Sequence, residues 1–541
     1  MHNPAEQFTF LDVPEQDVKD HFQYANAKKS AWAQILASLM QNWLFIEIGL
    51  ELVMPTVILG SLHNNPAEPL NMNDDQASWF GSIPDFCFPI GSLTSGLLQD
   101  KFGRKGAMML VNIPIFMGWM ILYFAESIHA LYVVSVIMGL CTGLAEAPLY
   151  AYIGEIGEPR LRGTLSTTST SCFSIGEYDD VVEQSTAHTH PGHSSLPQEK
   201  FYLWRQACRV CCSQAAGRRY EQRELPESPT WLILRGRLDE AKKSLCWLRG
   251  WVSSAEVEPE FLSLVKYTVK SARLSRENSA YSSLPIKEGE PVAKRGGFLK
   301  EQLKELTNKR TFRPLRLMFI VFIITDIAWV YGIKPYFVKE LRMLESPIDP
   351  NLALMVFYGM TFTGAMVNVV FLRRFGKRRI ALFSHILAGI CILSVGMYAS
   401  FLQSLTQYPL RVWLPLMLWF IIKFLHGFSI ITLPWQLVSE VFPPLGRGTA
   451  TGLTAAWTHL VMSFLTKTYL YMEAWLGFSG VMYLYGVCTM AGVVHHYFYL
   501  PETEGKTLEQ IETYFTKNHD RSEKFSVGKP QRQRAQSGSP F

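Results

Sequence analysis

The sequence predicts an all-α polytopic membrane protein, and three observations support this fold class. Hydrophobic residues make up 48% of the chain and aromatic residues 13%. The apolar residues come in runs of about 20, the length that a helix needs to cross a hydrocarbon core of about 30 Å. The polar residues are concentrated in a few blocks between these runs. At 541 residues, the chain is long enough for one large polytopic protein.

The apolar runs predict about ten membrane spans, which divide the chain into bundles and polar segments. We expect the spans near residues 37–62, 78–96, 107–124, 131–153, 314–337, 352–372, 380–401, 413–436, 449–471 and 475–499. The predicted segments are a cytoplasmic N-terminal arm at 1–36, an N-terminal transmembrane bundle of four clear spans at 37–175, an aberrant polar segment at 176–225, a cytoplasmic linker with short helices at 226–313, a C-terminal six-helix bundle at 314–500 and a cytoplasmic tail at 501–541.

The distribution of charge predicts the orientation in the membrane. Basic residues cluster at 28–29, 101–105 and 160–162, whereas the loop after the first span is acidic at 68–75. Since cytoplasmic loops carry an excess of Lys and Arg, we expect the basic ends and both termini in the cytoplasm. The net charge of +5 is explained by these loops. The lipid bilayer is therefore an expected partner, and nucleic acid is not.

The stretch at 176–225 does not fit a membrane span. Its first part is polar, and residues 205–225 carry five arginines. Each arginine costs about 2.5–3.5 kcal/mol at the centre of a spanning helix. We therefore predict no transmembrane helix between Gly176 and Leu225, so that the fifth and sixth spans are missing. A retained intron, a frameshift or a divergent exon would explain such a segment.

Histidines and cysteines in the same stretch suggest a zinc site. The residues are His188, His190, His193, Cys208, Cys211 and Cys212. These ligand types suit zinc, but their spacing matches no standard zinc finger. We predict no metal site and no cofactor. We also predict no enzymatic activity, since the sequence shows no nucleophile–base arrangement and no phosphate-binding loop.

Short motifs occur twice, once in each half of the chain. A charged, glycine-containing hairpin at 96–105 has a counterpart at 373–379, and Glu155 and Glu440 each stand seven residues before an Arg-Gly pair. Two further motifs are PESPTWL at 226–232 and PETEG at 501–505. Repeated hairpins at matching positions indicate a transporter built from two parallel halves.

These motifs, in this order and spacing, resemble the sugar porter family of the major facilitator superfamily over residues 37–175 and 226–515. The family pattern is G-x-L-x-D-x-x-G-R-[KR], E-x6-R-G in each half, P-E-S-P-x-x-L and P-E-T-x-G. Several motifs look like those of the arthropod trehalose and hexose transporters. The resemblance implies a major facilitator fold of six plus six helices, here reduced to about ten spans.

The same resemblance implies a sugar carrier of the cell membrane that works by alternating access. We expect facilitated diffusion of a hexose or trehalose. The alternatives are proton-coupled transport, transport of another organic solute that carries a charge, and a transport-incompetent paralogue or mis-spliced product.

Opposite charges stand at the helix ends that the orientation places in the cytoplasm. We predict that they form a latch, which closes the two bundles on the inside and opens when the bundles rock. The residues are Asp100, Arg104, Glu155, Arg162, Glu227, Glu440 and Arg447. We expect the pairs Glu155–Arg162, Glu440–Arg447 and Asp100–Arg104. The alternative is that they only set topology and are solvated, each pair then contributing about 0–1 kcal/mol. The resemblance implies that Asp100 docks at residues 447–449.

The substrate site is predicted from the family, with one departure. In the sugar porters a tryptophan of the tenth span follows a helix-breaking proline and stacks on the sugar, as Pro434 and Trp435 would here. The family sequence Q-Q-L-S-G-I-N of the seventh span, whose two Gln and Asn bind sugar hydroxyls, is replaced by AWVYGIK at 328–334, which argues against ordinary hexose recognition. Membrane anchoring and simple packing are the alternatives for these aromatic residues. The substrate-binding candidates are Trp435, Pro434, Trp329, Tyr331, Lys334, Tyr336 and Glu47.

Charged residues inside the predicted spans are functional candidates, because a charge is costly within a bilayer. They are Glu47, Glu51, Asp326, Lys334 and Lys423. Glu47 matches the acid of proton-coupled family members, but Ser135 stands where those members have an arginine. We predict that Glu47 or Glu51 pairs with Lys334 across the halves. The expected small-molecule partners are a sugar and, in the coupled alternative, a proton.

Overall fold

The structure is a computed structural model that describes residues 27–62, 70–189, 225–276, 304–402 and 410–516. In chain order its helices are α1 (Ala27–Leu62), α2 (Asp74–Phe102), α3 (Arg104–Tyr123), α4 (Ile128–Ile156), α5 (Arg162–Thr189), α6 (Pro229–Leu234), α7 (Leu238–Leu248), α8 (Glu258–Arg276), α9 (Lys309–Ala328), a 3-10 turn (Tyr331–Tyr336), α10 (Phe337–Met343), α11 (Pro350–Phe375), α12 (Lys377–Met397), a π-helical turn (Tyr398–Leu402), α13 (Leu410–Leu425), a second π-helical turn (His426–Ile430), α14 (Thr432–Val441), α15 (Arg447–Tyr499) and α16 (Leu508–Thr516).

The first five helices form the N-terminal half. α2 and α3 both pack against α4, and α1 packs along α5. Two of these helices begin at side-chain caps, which satisfy N–H groups that have no partner inside the helix. Asn73 accepts from the backbone N–H of Gln76 at the start of α2, 2.8 Å away, and Ser127 accepts from that of Ala130 at the start of α4.

Helix α5 lies where the sequence predicts the fifth span to be missing, although it is not among the described segments that are long and apolar enough to cross a bilayer. It extends to Thr189 and packs along α1. Gly176 allows this close approach, because a Cβ there would lie 2.1 Å from the carbonyl oxygen of Ile46. Hydropathy overlooks α5 because it is rich in Ser and Thr, whose hydroxyls bond to the preceding turn of the helix. Thr167, for example, donates to the carbonyl oxygen of Gly163 at 2.9 Å.

The rest of the polar segment stays a prediction. Its expected start after residue 175 falls inside α5, and residues 190–224 lie outside the described part of the chain. The zinc candidates also lie there, apart from His188, whose side chain is not described. The sequence predicts short helices in the linker, and its described residues form α6, α7 and α8.

Helices α9 to α15 form the C-terminal half, and two of its chain segments are interrupted. α9 ends at Ala328, and Val330 takes a left-handed conformation with φ of 57° before the 3-10 turn. A π-helical turn at His426–Ile430 separates α13 from α14. Irregular backbone within a membrane protein is found where it lines a cavity or is enclosed by protein. These two breaks therefore mark a candidate binding region.

The two halves meet mainly along two pairs of helices. α2 packs along α15, and α5 packs along α11. By the order of spans, these pairs join the second span to the eleventh and the fifth to the eighth. We call the end of the molecule that carries the turns at Gly103 and Gly376 the hairpin end.

Seven described segments are long and apolar enough to cross a bilayer. They are Ala27–Leu52, Arg104–Tyr123, Ile128–Ile156, Leu352–Phe375, Lys377–Phe401, Val412–Val441 and Arg447–Tyr499. The last has 53 residues, which at a rise of about 1.5 Å per residue is enough for two crossings. Gly477, with φ 68° and ψ 167°, separates these two crossings.

The break at Gly477 predicts a large effect of a small substitution. Its backbone conformation is accessible almost only to glycine, so G477A should destabilise the protein by about 1–3 kcal/mol. The melting temperature of the purified protein, followed by intrinsic fluorescence, measures this loss. The matched control is G81A, because a Cβ at the helical Gly81 meets Leu59 at an ordinary 3.4 Å. Equal melting temperatures for the two variants would contradict the prediction.

Candidate functional site

The turn between α2 and α3 is held by a glutamate from the linker. Gly103 makes the turn with φ of +89°, a conformation that favours glycine. The Glu227 carboxylate accepts from the backbone N–H groups of Arg104 at 3.0 Å and Lys105 at 3.2 Å. These N–H groups open α3, where a carboxylate is stabilised by hydrogen bonds and the helix dipole. Burial nevertheless raises the pKa of Glu227.

The turn between α11 and α12 is built in the same way. Gly376 has φ of +79°, and the Glu502 carboxylate accepts from the backbone N–H groups of Lys377 and Arg378, both at 3.1 Å. Each half thus has a hairpin whose second helix is capped by the glutamate of a Pro-Glu motif. This shared role explains why the motif occurs after each bundle.

A buried carboxylate joins the two halves at the hairpin end. Glu155 Oε1 lies 2.8 Å from Arg104 Nη2 and 3.3 Å from Arg447 Nη1, and Ser228 Oγ donates to the other carboxylate oxygen. The side chains of both arginines and of Glu155 are at most 1% exposed. Arg447 begins α15 in the C-terminal half, whereas Glu155 and Arg104 belong to the N-terminal half. We call these four residues the Glu155 cluster.

The C-terminal half has a corresponding cluster, whose ion pairs stay within that half. Lys377 Nζ lies 2.6 Å from Glu440 Oε1 and 3.5 Å from Glu504 Oε2. Burial raises the pKa of Glu504 to about 7, and Lys377 partly opposes this rise. Sequence reasoning missed Lys377, Glu502 and Glu504. The signal was available, because FGKR at 375–378 repeats FGRK at 102–105.

The predicted latch residues come together, but two of the expected pairs are exchanged. Arg447, expected beside Glu440, reaches Glu155 instead. Arg162, expected beside Glu155, interacts electrostatically with Glu440 of the other half and donates to the carbonyl oxygen of Gly157 at 3.0 Å. A spacing of seven residues along the chain does not decide which partner a long side chain reaches across the bundle.

Asp100 makes the contact that the family resemblance implied. Its Oδ2 accepts from Thr449 Oγ1 at 3.2 Å, and its Oδ1 lies 3.5 Å from Arg104 Nη1. The neighbouring Gln99 donates to the carbonyl oxygen of Gly448 at 3.3 Å. α2 and α15 are therefore joined by polar contacts beside the Glu155 cluster.

An aromatic stack lies between the halves. The ring of Tyr150 on α4 lies parallel to that of Trp435 on α14, with centroids 4.6 Å apart and an angle of 8°. Phe322 meets Trp435 edge-on at 5.1 Å. Tyr150 and Trp435 each stand five residues before a cluster glutamate, Glu155 or Glu440. Sequence reasoning missed Tyr150, although this equal spacing pointed to it. Pro434 is buried beside Trp435 and follows the π-helical turn.

A second aromatic group lies at the break between α9 and the 3-10 turn. Trp329 stacks on His426 at 4.4 Å, and Lys334 Nζ lies 5.7 Å from the ring centres of both Trp329 and Tyr331. The group borders a cleft with about 410 Å³ of empty space, open solvent included. The cleft is lined by Trp329, Lys334, Phe337, Leu354, Phe357, Tyr358, Thr361, Lys423 and His426.

The remaining candidates lie elsewhere. Trp119 Nε1 donates to Glu47 and Thr142 Oγ1 donates to Glu51, both within the N-terminal half. The predicted pairing of either acid with Lys334 is not among the contacts described and stays a prediction. Tyr336 stacks on Tyr469 at 5.4 Å, and Asp326 accepts from Thr458 at 3.1 Å. The predicted substrate residues are therefore distributed over four places in the described structure.

Removal of the Glu155 charge should weaken the contact between the halves. E155Q leaves two buried arginines without their carboxylate, which should destabilise the closed hairpin end by about 3–5 kcal/mol. We expect a longer distance between spin labels at K101C and R374C, two exposed hairpin positions, in a background with the native cysteines replaced by serine.

The matched control for this experiment is E158Q. Glu158 is also buried, but its partners Ser30, Gln34 and Arg160 all belong to the N-terminal half. E158Q should therefore lower stability without lengthening the distance between the labels. An unchanged distance in E155Q would contradict the role assigned to its carboxylate.

Glu504 predicts a dependence of stability on pH. Its pKa is raised from 4.5 to about 7, so the folded protein keeps a proton that the unfolded chain loses. Stability should therefore fall as pH rises from 4.5 to about 7. E504Q lacks this group, and we expect it to melt at a higher temperature than the wild type at pH 8. The gain should shrink as pH falls below 7 and approach zero only at about pH 4, below the pKa of the unfolded chain. A gain that is independent of pH, or equal to that of E509Q at an exposed position of α16, would disprove this account.

Comparisons with known proteins agree with this architecture. The sequence profile of the family described as "Sugar (and other) transporter" matches residues 30–515. The "Facilitated trehalose transporter Tret1" of Polypedilum vanderplanki is 25% identical over 491 residues, which is 89% of this chain and 88% of the relative. The Tret1 of Apis mellifera ligustica is 25% identical over 519 residues, 93% of each chain.

Solved structures share the fold at lower identity. The major facilitator superfamily proton:xylose symporter XylE bound to 6-bromo-6-deoxy-D-glucose superposes with a TM-score of 0.70 at 18% identity, over 90% of this chain and 100% of that one. The inward-open conformation of XylE from E. coli gives 0.59 at 18% identity, over 90% and 99%. The predicted all-α major facilitator fold is thus confirmed. The chain belongs to the sugar (and other) transporter family, whose members are multi-pass membrane transporters and not enzymes.

Proposed function

We propose that the protein carries a neutral sugar, trehalose or a hexose, across the cell membrane by alternating access. The observation that carries this proposal is the stack of Tyr150 on Trp435 between the halves. An aromatic face binds the C–H face of a sugar ring, and these two faces come from opposite halves. The names of the relatives, which denote facilitated trehalose transport, support this class of substrate.

The contacts define what must move for a sugar to pass. With ring centroids 4.6 Å apart, Tyr150 and Trp435 leave no room for a sugar between them, so the halves must part before it binds there. The Glu155–Arg447 ion pair closes the hairpin end below the stack. A sugar therefore enters from the opposite end, and rocking of the halves breaks the ion pair and opens the exit.

The same proposal places the hairpin end in the cytoplasm and the carrier in the cell membrane. The hairpin end carries the basic residues of both hairpins, Arg104 and Lys105 in one and residues 377–379 in the other. The excess of positive charge favours the cytoplasmic side for this end and for both termini. The presence of α5 beside α1 supports an intact carrier over a product that has lost its fifth helix.

A second candidate substrate follows from the cleft beside Trp329. Lys334 and Lys423 both line it, and two ammonium groups favour an anionic solute over a neutral one. A sugar acid combines this charge with a ring that aromatic residues can contact. Competition of trehalose counterflow by glucuronate separates the two candidates, since a site for neutral sugars is not inhibited by the acid.

Counterflow in proteoliposomes tests the proposed function. Vesicles preloaded with unlabelled trehalose or glucose should accumulate the same labelled sugar transiently. We expect W435A to reduce the initial rate more than tenfold and W435F to reduce it less, because Phe keeps an aromatic face. The matched control is W475A, since Trp475 is 91% exposed and should be dispensable. Absence of counterflow in the wild type with both sugars would refute the proposal, and counterflow with glucuronate alone would support the second candidate.

A further inference from the structure

A hydrogen-bonded pair of titratable residues joins the halves at a second position, further along the helices from the hairpin end. His459 Nε2 on α15 lies 2.8 Å from Glu146 Oε2 on α4. Their side chains are 8% and 11% exposed. The pair belongs to neither hairpin cluster and to none of the family motifs found in the sequence.

Helix geometry places this pair near the middle of the membrane. Glu146 stands nine residues before Glu155, and His459 stands twelve after Arg447. At 1.5 Å per residue, the pair lies about 14–18 Å from the Glu155–Arg447 contact, roughly half of a hydrocarbon core. Tyr150 lies between the two levels on α4. With the hairpin end closed, the pair therefore lies on the side of the aromatic stack that faces the opposite end.

Several charged groups surround His459. Glu146 on α4 is hydrogen-bonded to it, and the Asp85 carboxylate on α2 interacts electrostatically with both His459 and Lys334 of the 3-10 turn. Asp326 on α9 accepts from Thr458, the neighbour of His459. Because Glu146 and Asp85 together outnumber Lys334, a proton on His459 reduces the net charge of these groups.

We propose that the His459–Glu146 pair is a proton-binding site, and that a proton moves through it together with the transported sugar. A proton added to the imidazole turns the hydrogen bond into an ion pair. In a medium of low dielectric, two opposite charges in contact are far lower in energy than the same charges apart. The contact between the halves and the bound proton therefore stabilise each other.

The cycle follows from this linkage. With the hairpin end closed, water from the opposite end delivers a proton to the imidazole of His459, which then faces the Glu146 carboxylate. When the halves part at the hairpin end, α15 moves away from α4 and the imidazolium loses its counter-ion. The proton then passes from the imidazole to water at the hairpin end, leaving neutral His459 and ionised Glu146. The empty carrier closes again without the proton.

The experiment measures proton movement and sugar movement in the same vesicles. This inference rests on the proposed sugar transport, so labelled trehalose and glucose are the probes and a pH-sensitive dye reports the vesicle interior. We expect sugar entry to acidify the interior in the wild type. H459Q and E146Q should each lose at least nine-tenths of the proton flux and keep counterflow. H129Q, at an exposed histidine of α4, should keep both.

The possible outcomes distinguish the two proposals. Counterflow without acidification in the wild type overturns this inference and leaves sugar transport intact. Proton flux that persists in both H459Q and E146Q, or that falls only in proportion to counterflow in both, also overturns it, because a merely structural pair would behave so. Absence of counterflow in the wild type refutes the proposed function and this inference with it.

Discussion

The carboxylate of Glu155 is the point on which the closed hairpin end depends. Two buried arginines, one from each half, share its Oε1 atom, and neither can lose its proton to escape the cost of burial. Asp100 supplies a second negative charge beside Arg104, so that the set holds two acids and two arginines. Ser228 of the linker donates to the same carboxylate. The linker is therefore part of the closed state.

Each half pairs a glutamate with the cation that begins the second helix of its hairpin. That cation is arginine in the N-terminal half and lysine in the C-terminal half, and this difference changes what the pair does. Arg104 and Arg447 have planar guanidinium groups, and the two form ion pairs with the Glu155 carboxylate from two directions. Lys377 is a compact ammonium with three donors, and it contacts Glu440, Glu504 and Thr503 within its own half. The ion pair across the interface therefore comes from the N-terminal carboxylate, whereas Glu440 interacts electrostatically with Arg162 of the other half. The C-terminal cluster stabilises its own hairpin and supplies the pH-dependent group.

The sequence was sufficient for the features that depend on local pattern. Apolar runs located most of the helices, and the hairpins and Pro-Glu motifs located the capped turns. α5 escaped because hydropathy counts side-chain types, whereas the hydroxyls of Thr167 and its neighbours are satisfied within the helix. The pairing of Arg447 with Glu155 was not predicted, because it depends on packing between helices that are far apart in the chain. Tyr150 could have been predicted, because it stands five residues before Glu155, as Trp435 stands before Glu440.

Helix α4 carries three contacts to the other half, through Glu155, Tyr150 and Glu146. The Glu155 contact is an ion pair, the Tyr150 contact is the aromatic stack that we propose a sugar replaces, and the Glu146 contact is the one that we propose a proton strengthens. A ligand can shift an equilibrium only by as much as it prefers one state over the other. An interface held by apolar packing alone would give a sugar or a proton no such preference. On these proposals, the polar and aromatic character of this face of α4 makes the closed state responsive to the transported solutes.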